Sequence, residues 1–154
     1  MARSLSLTAS LEDYLEAIFH LENKDKVARS KDIAGALGVA RPSVTGALRT
    51  LAGKGLVNYE PYGLITLTEA GRREARRIAE KHRIIESFFV DVLGVDGELA
   101  EQAACKAEHA LGPVVVERLL AFTTFLKETA GSEPGIIERF KRSAARMRRK
   151  GTGL

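Results

Sequence analysis

The chain has 154 residues, 45% of them hydrophobic and 29% charged, with a formal net charge of +4. That is enough to bury a core without disulfide or metal staples, and a single cysteine excludes an internal disulfide and fits a reducing compartment. No run approaches the roughly 18 apolar residues of a membrane span and the N-terminus lacks an apolar signal core, so a soluble cytoplasmic protein with no membrane partner is expected.

A first helix is expected from Ser10, with Leu11, Tyr14, Leu15, Ile18, Phe19 and Leu21 on its apolar side and Asp13 and Glu16 beside that stripe. After a polar loop, Ser30 precedes a short helix over residues 31–37 that stops at Gly38, a residue tolerant of the positive φ of a tight turn. A third helix starts near Arg41, with Pro42 in its first turn and Val44, Leu48 and Leu51 inward. Two short helices around a glycine turn make a helix-turn-helix. Two β-rich runs, residues 55–60 and 64–68, flank a Pro61-Tyr62-Gly63 turn and read as a hairpin, the wing of a winged helix. The outward set expected to face DNA is Arg41, Pro42, Ser43, Thr45 and Arg49, with Tyr62 at the wing tip.

A long basic helix follows, opening near Thr68 and carrying Arg72, Arg73, Arg76, Arg77, Lys81 and Arg83. Such a run is either a solvated helix face or a surface for phosphate. Further on, Ile84, Ile85, Phe88 and Phe89 and the stretch Val114, Val115, Val116, Leu119, Leu120, Phe122 and Phe125 are apolar beyond the needs of one helical hairpin. The second stretch is read as core more readily than as interface, and the surplus makes a two-fold interface plausible. A linker over residues 131–135 then leads to a short amphipathic helix with Ile136, Ile137, Phe140 and Met147 on one side. Arg139, Lys141, Arg142, Arg146, Arg148, Arg149 and Lys150 give it a basic exterior.

Ligand chemistry lies on three helices. Cys105, Glu108 and His109 stand at i, i+3 and i+4, bringing a thiolate, a carboxylate and an imidazole to one face. Asp13 and Glu16 form an i, i+3 acidic pair, and His82 and Glu86 an i, i+4 pair. Together they suggest a divalent-metal site. His20 has the spacing to join Glu16 but is left outside the set.

From Ser10 to Ile18, and again at Asp32-Ile33-Ala34, Pro42-Ser43-Val44-Thr45, Leu64 to Thr68, Lys81-His82-Arg83 and Cys105 to His109, the chain resembles the DtxR/MntR family of metal-dependent transcriptional repressors. The resemblance covers roughly residues 8–128. It implies a mainly α fold: a winged helix-turn-helix (residues 1–72), an all-helical metal-binding and dimerisation domain (73–130) and a basic C-terminal helix or tail (131–154). It implies a homodimeric, cytoplasmic repressor of metal-uptake genes that binds a double-stranded operator when metal fixes the spacing of its recognition helices, and that is not an enzyme.

Carried over residue by residue, the resemblance suggests metal ligands at Asp13, Glu16, His82, Cys105, Glu108 and His109. The manganese-type branch usually has glutamate where this chain has Cys105. The iron-type branch has Cys-x-x-Glu-His but commonly methionine at the place of Asp13, so the set combines both. His82 and Glu86 match the histidine and glutamate of an ancillary site in the iron-type branch, whose further histidine falls at Glu101 here, a residue still able to ligate, so His82 could serve that site instead of the main one. The length of the chain suits the shorter, manganese-regulator form without an SH3-like domain. Mn(II) or Fe(II) is the expected ion, with Zn(II) or Co(II) able to bind in vitro. Two other readings compete: a winged-helix regulator of a small organic ligand, and a metallo-hydrolase with Glu108 as general base.

Overall fold

The computed structural model describes residues 7–129 and 135–149. The expected linker over residues 131–134 and the terminal Lys150 lie outside them. The chain divides into two compact units, Met1–Ala79 and Glu80–Leu154. Among the described residues no helix is long and apolar enough to cross a membrane.

The first unit contains α1 (Ala9–Asp25), α2 (Ser30–Leu37), α3 (Arg41–Gly53), β1 (Val57–Asn58), β2 (Thr66–Leu67) and the first half of α4 (Glu69–Ser87). Helix α1 starts earlier than Ser10 suggested, because the Thr8 hydroxyl accepts the Leu11 N–H at 3.3 Å and caps it. Ser30 is likewise not the cap of α2 but its first residue. The reason is a bridge in which Ala28 and Ile65 exchange N–H···O bonds of 3.1 and 2.9 Å, holding the chain extended up to Arg29. The same bridge explains why the hairpin strands are two residues each rather than five or six. Val57 pairs with Leu67 and Asn58 with Thr66, and beyond them Ile65 turns its backbone to Ala28 instead of the opposite strand. Gly38 takes φ 64° as anticipated, and Val44, Leu48 and Leu51 are fully buried with Leu15, Ile18 and Ile33.

A buried carboxylate ties three elements of this unit together. Glu22 of α1 accepts the Leu67 N–H of β2 at 3.3 Å through Oε1, and Arg72 Nη2 of α4 lies 2.9 Å from its Oε2. Glu22 is 7% exposed and Arg72 31%, so loss of one partner strands a charge that water only partly reaches. Glu22→Ala is expected to lower stability by about 2 kcal/mol in urea titrations, the screening at Arg72 keeping the loss below that of a fully buried pair.

The second unit contains the rest of α4, a π-helical segment (Phe88–Val92), α5 (Gly97–Ala110), α6 (Pro113–Thr129) and α7 (Ile136–Arg149). At the π segment the Leu93 N–H reaches back five residues to the Phe88 carbonyl at 3.1 Å. Its core is small: Ile85, Ala104 and Val116, with Ile84, Phe89, Ala107, Leu111 and Leu119 around them. The apolar stretch of α6 is therefore not mainly core. Val116 and Leu126 are buried, but Val114 is 66% exposed, Phe125 60%, Phe122 49% and Leu120 46%. One helical layer offers too few partners to cover them.

Candidate metal centre and nucleic-acid interface

In the first unit, α2, α3 and the wing enclose a cleft of about 410 Å³. Arg41, Thr45 and Arg49 line it from α3, and Pro61, Tyr62, Gly63 and Leu64 from the wing. Arg41, Pro42, Ser43 and Arg49 are exposed. Thr45 is half-buried, and its hydroxyl donates to the Arg41 carbonyl at 3.3 Å. Tyr62 is wholly exposed at the wing tip, with φ 65°. The structure adds Arg29 and Tyr59 to this cleft, residues the sequence reading passed over. Arg29 enters because the Ala28–Ile65 bridge holds the start of α2 beside the wing, a pairing that no local pattern announces.

The basic run of α4 is largely matched by acids of its own unit or turn. Arg72 pairs with Glu22, Arg73 with Glu69, Arg77 with Glu74 and Arg83 with Glu80. The guanidinium of Arg77 is held above its ordinary range, first by its hydrogen bond to Glu74. Four of the six basic residues in this run thus stand beside acids, which favours the solvated helix face over a phosphate surface.

In the second unit, Glu108 of α5 is buried at 1% exposure. Its Oε2 lies 2.6 Å from His82 Nδ1 of α4, and its Oε1 lies 3.4 Å from His109 Nε2 without a hydrogen bond among the described residues. His82 presents its other nitrogen to Glu86 Oε2 at 3.9 Å. A carboxylate removed from water with one unsatisfied oxygen needs a compensating cation. The two imidazoles beside it are the nitrogen donors that complete such a site, so the residues present fit a divalent metal. Cys105 and Glu101 occupy exposed positions of α5, one and two turns before Glu108. In the first unit, Asp13 and Glu16 are half-buried on α1, and Glu16 Oε1 stands 3.5 Å from His20 Nε2, the histidine the sequence reading had set aside.

The sequence matches two family models. Residues 6–64 match the "Iron dependent repressor, N-terminal DNA binding domain" and residues 68–135 the "Iron dependent repressor, metal binding and dimerisation domain". A relative from Methanocaldococcus jannaschii, described as an uncharacterised HTH-type transcriptional regulator, is 40% identical over 79% of this chain and 98% of its own. The transcriptional regulator MntR of Salmonella typhimurium is 36% identical over 73% of this chain and 71% of its own. A solved manganese-dependent transcriptional repressor in complex with manganese superposes with a TM-score of 0.69 at 31% identity, covering 75% of this chain. The present chain spans about half the length of that solved protein, 53%.

Proposed function

Because the chain belongs to the iron-dependent repressor family of metal-dependent, DNA-binding transcriptional regulators, we propose that it is a cytoplasmic homodimer that represses metal-uptake genes when Mn(II) or Fe(II) is bound. The observation that carries this reading is the buried Glu108 carboxylate between His82 and His109. The proposed ligand set is Asp13, Glu16, His82, Cys105, Glu108 and His109, with Glu86 and Glu101 as ancillary ligands. Oxygen and imidazole donors favour Mn(II) and Fe(II), while the Cys105 thiolate would draw the site toward Fe(II), Co(II) or Zn(II). A bound cation would neutralise Glu108 and hold its ligands in one geometry.

The chain's own residues carry that event to DNA. Asp13 and Glu16 belong to α1, whose Leu15 and Ile18 pack in one core with Ile33 of α2 and Val44 and Leu48 of α3. A ligand role for them passes metal occupancy to the recognition helix as a shift between pre-existing geometries. In a two-fold dimer, the spacing of two such helices decides whether both half-sites are met. The exposed Val114, Leu120, Phe122 and Phe125 support a second copy as their cover.

The metal reading is tested with Co(II) as a spectroscopic probe. Parent protein should show a thiolate-to-cobalt charge-transfer band that Cys105→Ser abolishes and a binding isotherm that His82→Ala weakens. No saturable binding of Co(II), Mn(II) or Fe(II) would remove the basis of the proposal. Arg41→Ala and Arg49→Ala are each expected to weaken operator binding by about 1–3 kcal/mol, as for loss of a base contact. A mobility-shift titration on operator and scrambled duplexes checks this: unequal losses on the two duplexes mark base readout, equal losses mark phosphate contact.

A further inference from the structure

The basic residues of α7 stand in a different state from those of α4. Over Ile136–Arg149 there are five arginines and one lysine against a single acid, Glu138. The only ion pair recorded there is Lys141 Nζ with Glu138 at 3.9 Å, so the five arginines have no carboxylate partner among the described residues. Arg139, Arg142, Arg146 and Arg149 fall at i, i+3, i+7 and i+10 and are all exposed. They form one stripe about 15 Å long. Like charges at these spacings repel one another along the helix.

The other side of α7 borders its own unit. Ile136, Ile137 and Phe140 line an apolar cleft of about 250 Å³ with Phe88 and Phe122, and the Lys141 stem lies over Gly94. Ile136 and Phe140 border that cleft while staying 39% and 44% exposed, and the arginine stripe faces water.

We propose that the α7 stripe binds the sugar–phosphate backbone of duplex DNA, adding sequence-independent affinity to that of the winged helix. This rests on the DNA-binding reading above and extends it to a second surface. Guanidinium forks match phosphate oxygens bidentately, which favours arginine over lysine in such a role. A stripe of about 15 Å runs past about four phosphates of one strand at 3.4 Å of axis each. The partner already required by the function is a dense polyanion, the complement of a helix whose arginines have no carboxylate partner among the described residues. An anionic lipid surface is the competing occupant, since Ile136, Phe140 and Met147 of α7 are exposed, and vesicle binding is therefore one arm of the test.

The test is the salt dependence of DNA affinity for the full chain, metal-saturated, on operator and on unrelated duplex. Arg142→Gln/Arg146→Gln/Arg149→Gln keeps good helix formers and removes three charges per subunit. In a dimer the slope of log K against log salt should fall by about 3 to 5, and affinity should drop by the same factor on both duplexes. The corresponding triple lysine variant should restore most of the slope. Arg146→Gln alone should give roughly a third of the effect, and serves if the triple variant loses helicity by circular dichroism. A slope changed by less than about 1 overturns the proposal. So does an equal fall in Lys24→Gln/Lys106→Gln/Arg118→Gln, which removes the same charge elsewhere. Weakened binding to phosphatidylserine vesicles with an unchanged DNA slope would replace DNA by a membrane surface. Failure of the parent chain to bind either duplex would overturn the functional reading as well, whereas normal parental binding with an unchanged variant slope overturns the α7 inference alone.

Discussion

Glu108→Leu is expected to leave the metal-free protein at least as stable as the parent while abolishing its stabilisation by divalent metal. Glu108 is 1% exposed, with one oxygen against His82 and the other 3.4 Å from His109 Nε2 without a hydrogen bond among the described residues. Removing one member of a buried ion pair is costly when the other stays charged, as at Glu22, but a neutral imidazole leaves no stranded charge and the leucine fills the space with apolar surface. His82 and His109, with side chains 19% and 16% exposed, retain some access to water when the carboxylate is gone. In the parent, metal at one hundred times its Kd should add about 2.7 kcal/mol to stability, and in the variant close to nothing. Thermal melts in chelator and in Mn(II) measure both halves. A variant that keeps the full metal-induced rise in Tm would show that Glu108 is not a ligand. A large loss of stability without metal would make it a structural ion pair instead.

The second large effect is expected at Gly71. A methyl group there would overlap the Leu56 carbonyl oxygen and stand 2.8 Å from its carbon, so backbone rather than a flexible side chain must give way. The contact exists because the chain folds back tightly between wing and α4. The Thr68 N–H bonds the Leu56 carbonyl at 3.0 Å, and the Thr68 hydroxyl donates to the Gly55 carbonyl at 2.7 Å and accepts from Gly71 N–H at 3.0 Å. Gly71→Ala should cost roughly 3 kcal/mol or more, the upper range of overpacking. For a unit of this size that is a fall in Tm of roughly 12–24 °C. Gly35→Ala, in the middle of α2 with open space around it, should instead stabilise by about 0.5–1 kcal/mol. Calorimetry on both variants checks the sign as well as the size. Equal effects would mean that the close approach at Leu56 does not govern the fold.

These two glycines illustrate what the sequence discloses and what it hides. The elements were legible because their signals are local. Gly38 ends α2 at φ 64°, Pro42 sits in the first turn of α3, and the four- and three-residue spacing of Val44, Leu48 and Leu51 marks a buried face. Gly71 carried no such signal, since its constraint comes from a carbonyl fifteen residues upstream. The strand lengths were misjudged for the same reason: Ile65 pairs with Ala28, a distant residue that no turn chemistry links to it.

In the candidate site, the pairing of His82 with Glu108 joins two helices across 26 residues; ligand pairs at helical spacing put both residues into one suggested metal set, and the family resemblance then gave each its ligand role. Helical spacing alone placed Glu108 beside His109. The buried, half-satisfied state of the carboxylate is a property of packing and was not readable from either. The α6 stretch went the other way: Val114 and Phe125 look like core in composition, yet one chain leaves them in water. Hydrophobic pattern identifies apolar residues but not which chain covers them.

The most direct measurement is the anisotropy of labelled promoter DNA from a metal-uptake gene of the source organism, titrated with protein at fixed salt. Chelated protein is compared with protein in Mn(II), in anaerobic Fe(II) and in Zn(II). A metal-gated repressor should bind about 5–150-fold tighter with its physiological ion, the usual range of allosteric coupling. Equal affinity with and without chelator, on DNA that the protein does bind, would contradict the metal switch and leave a winged-helix protein governed by something else.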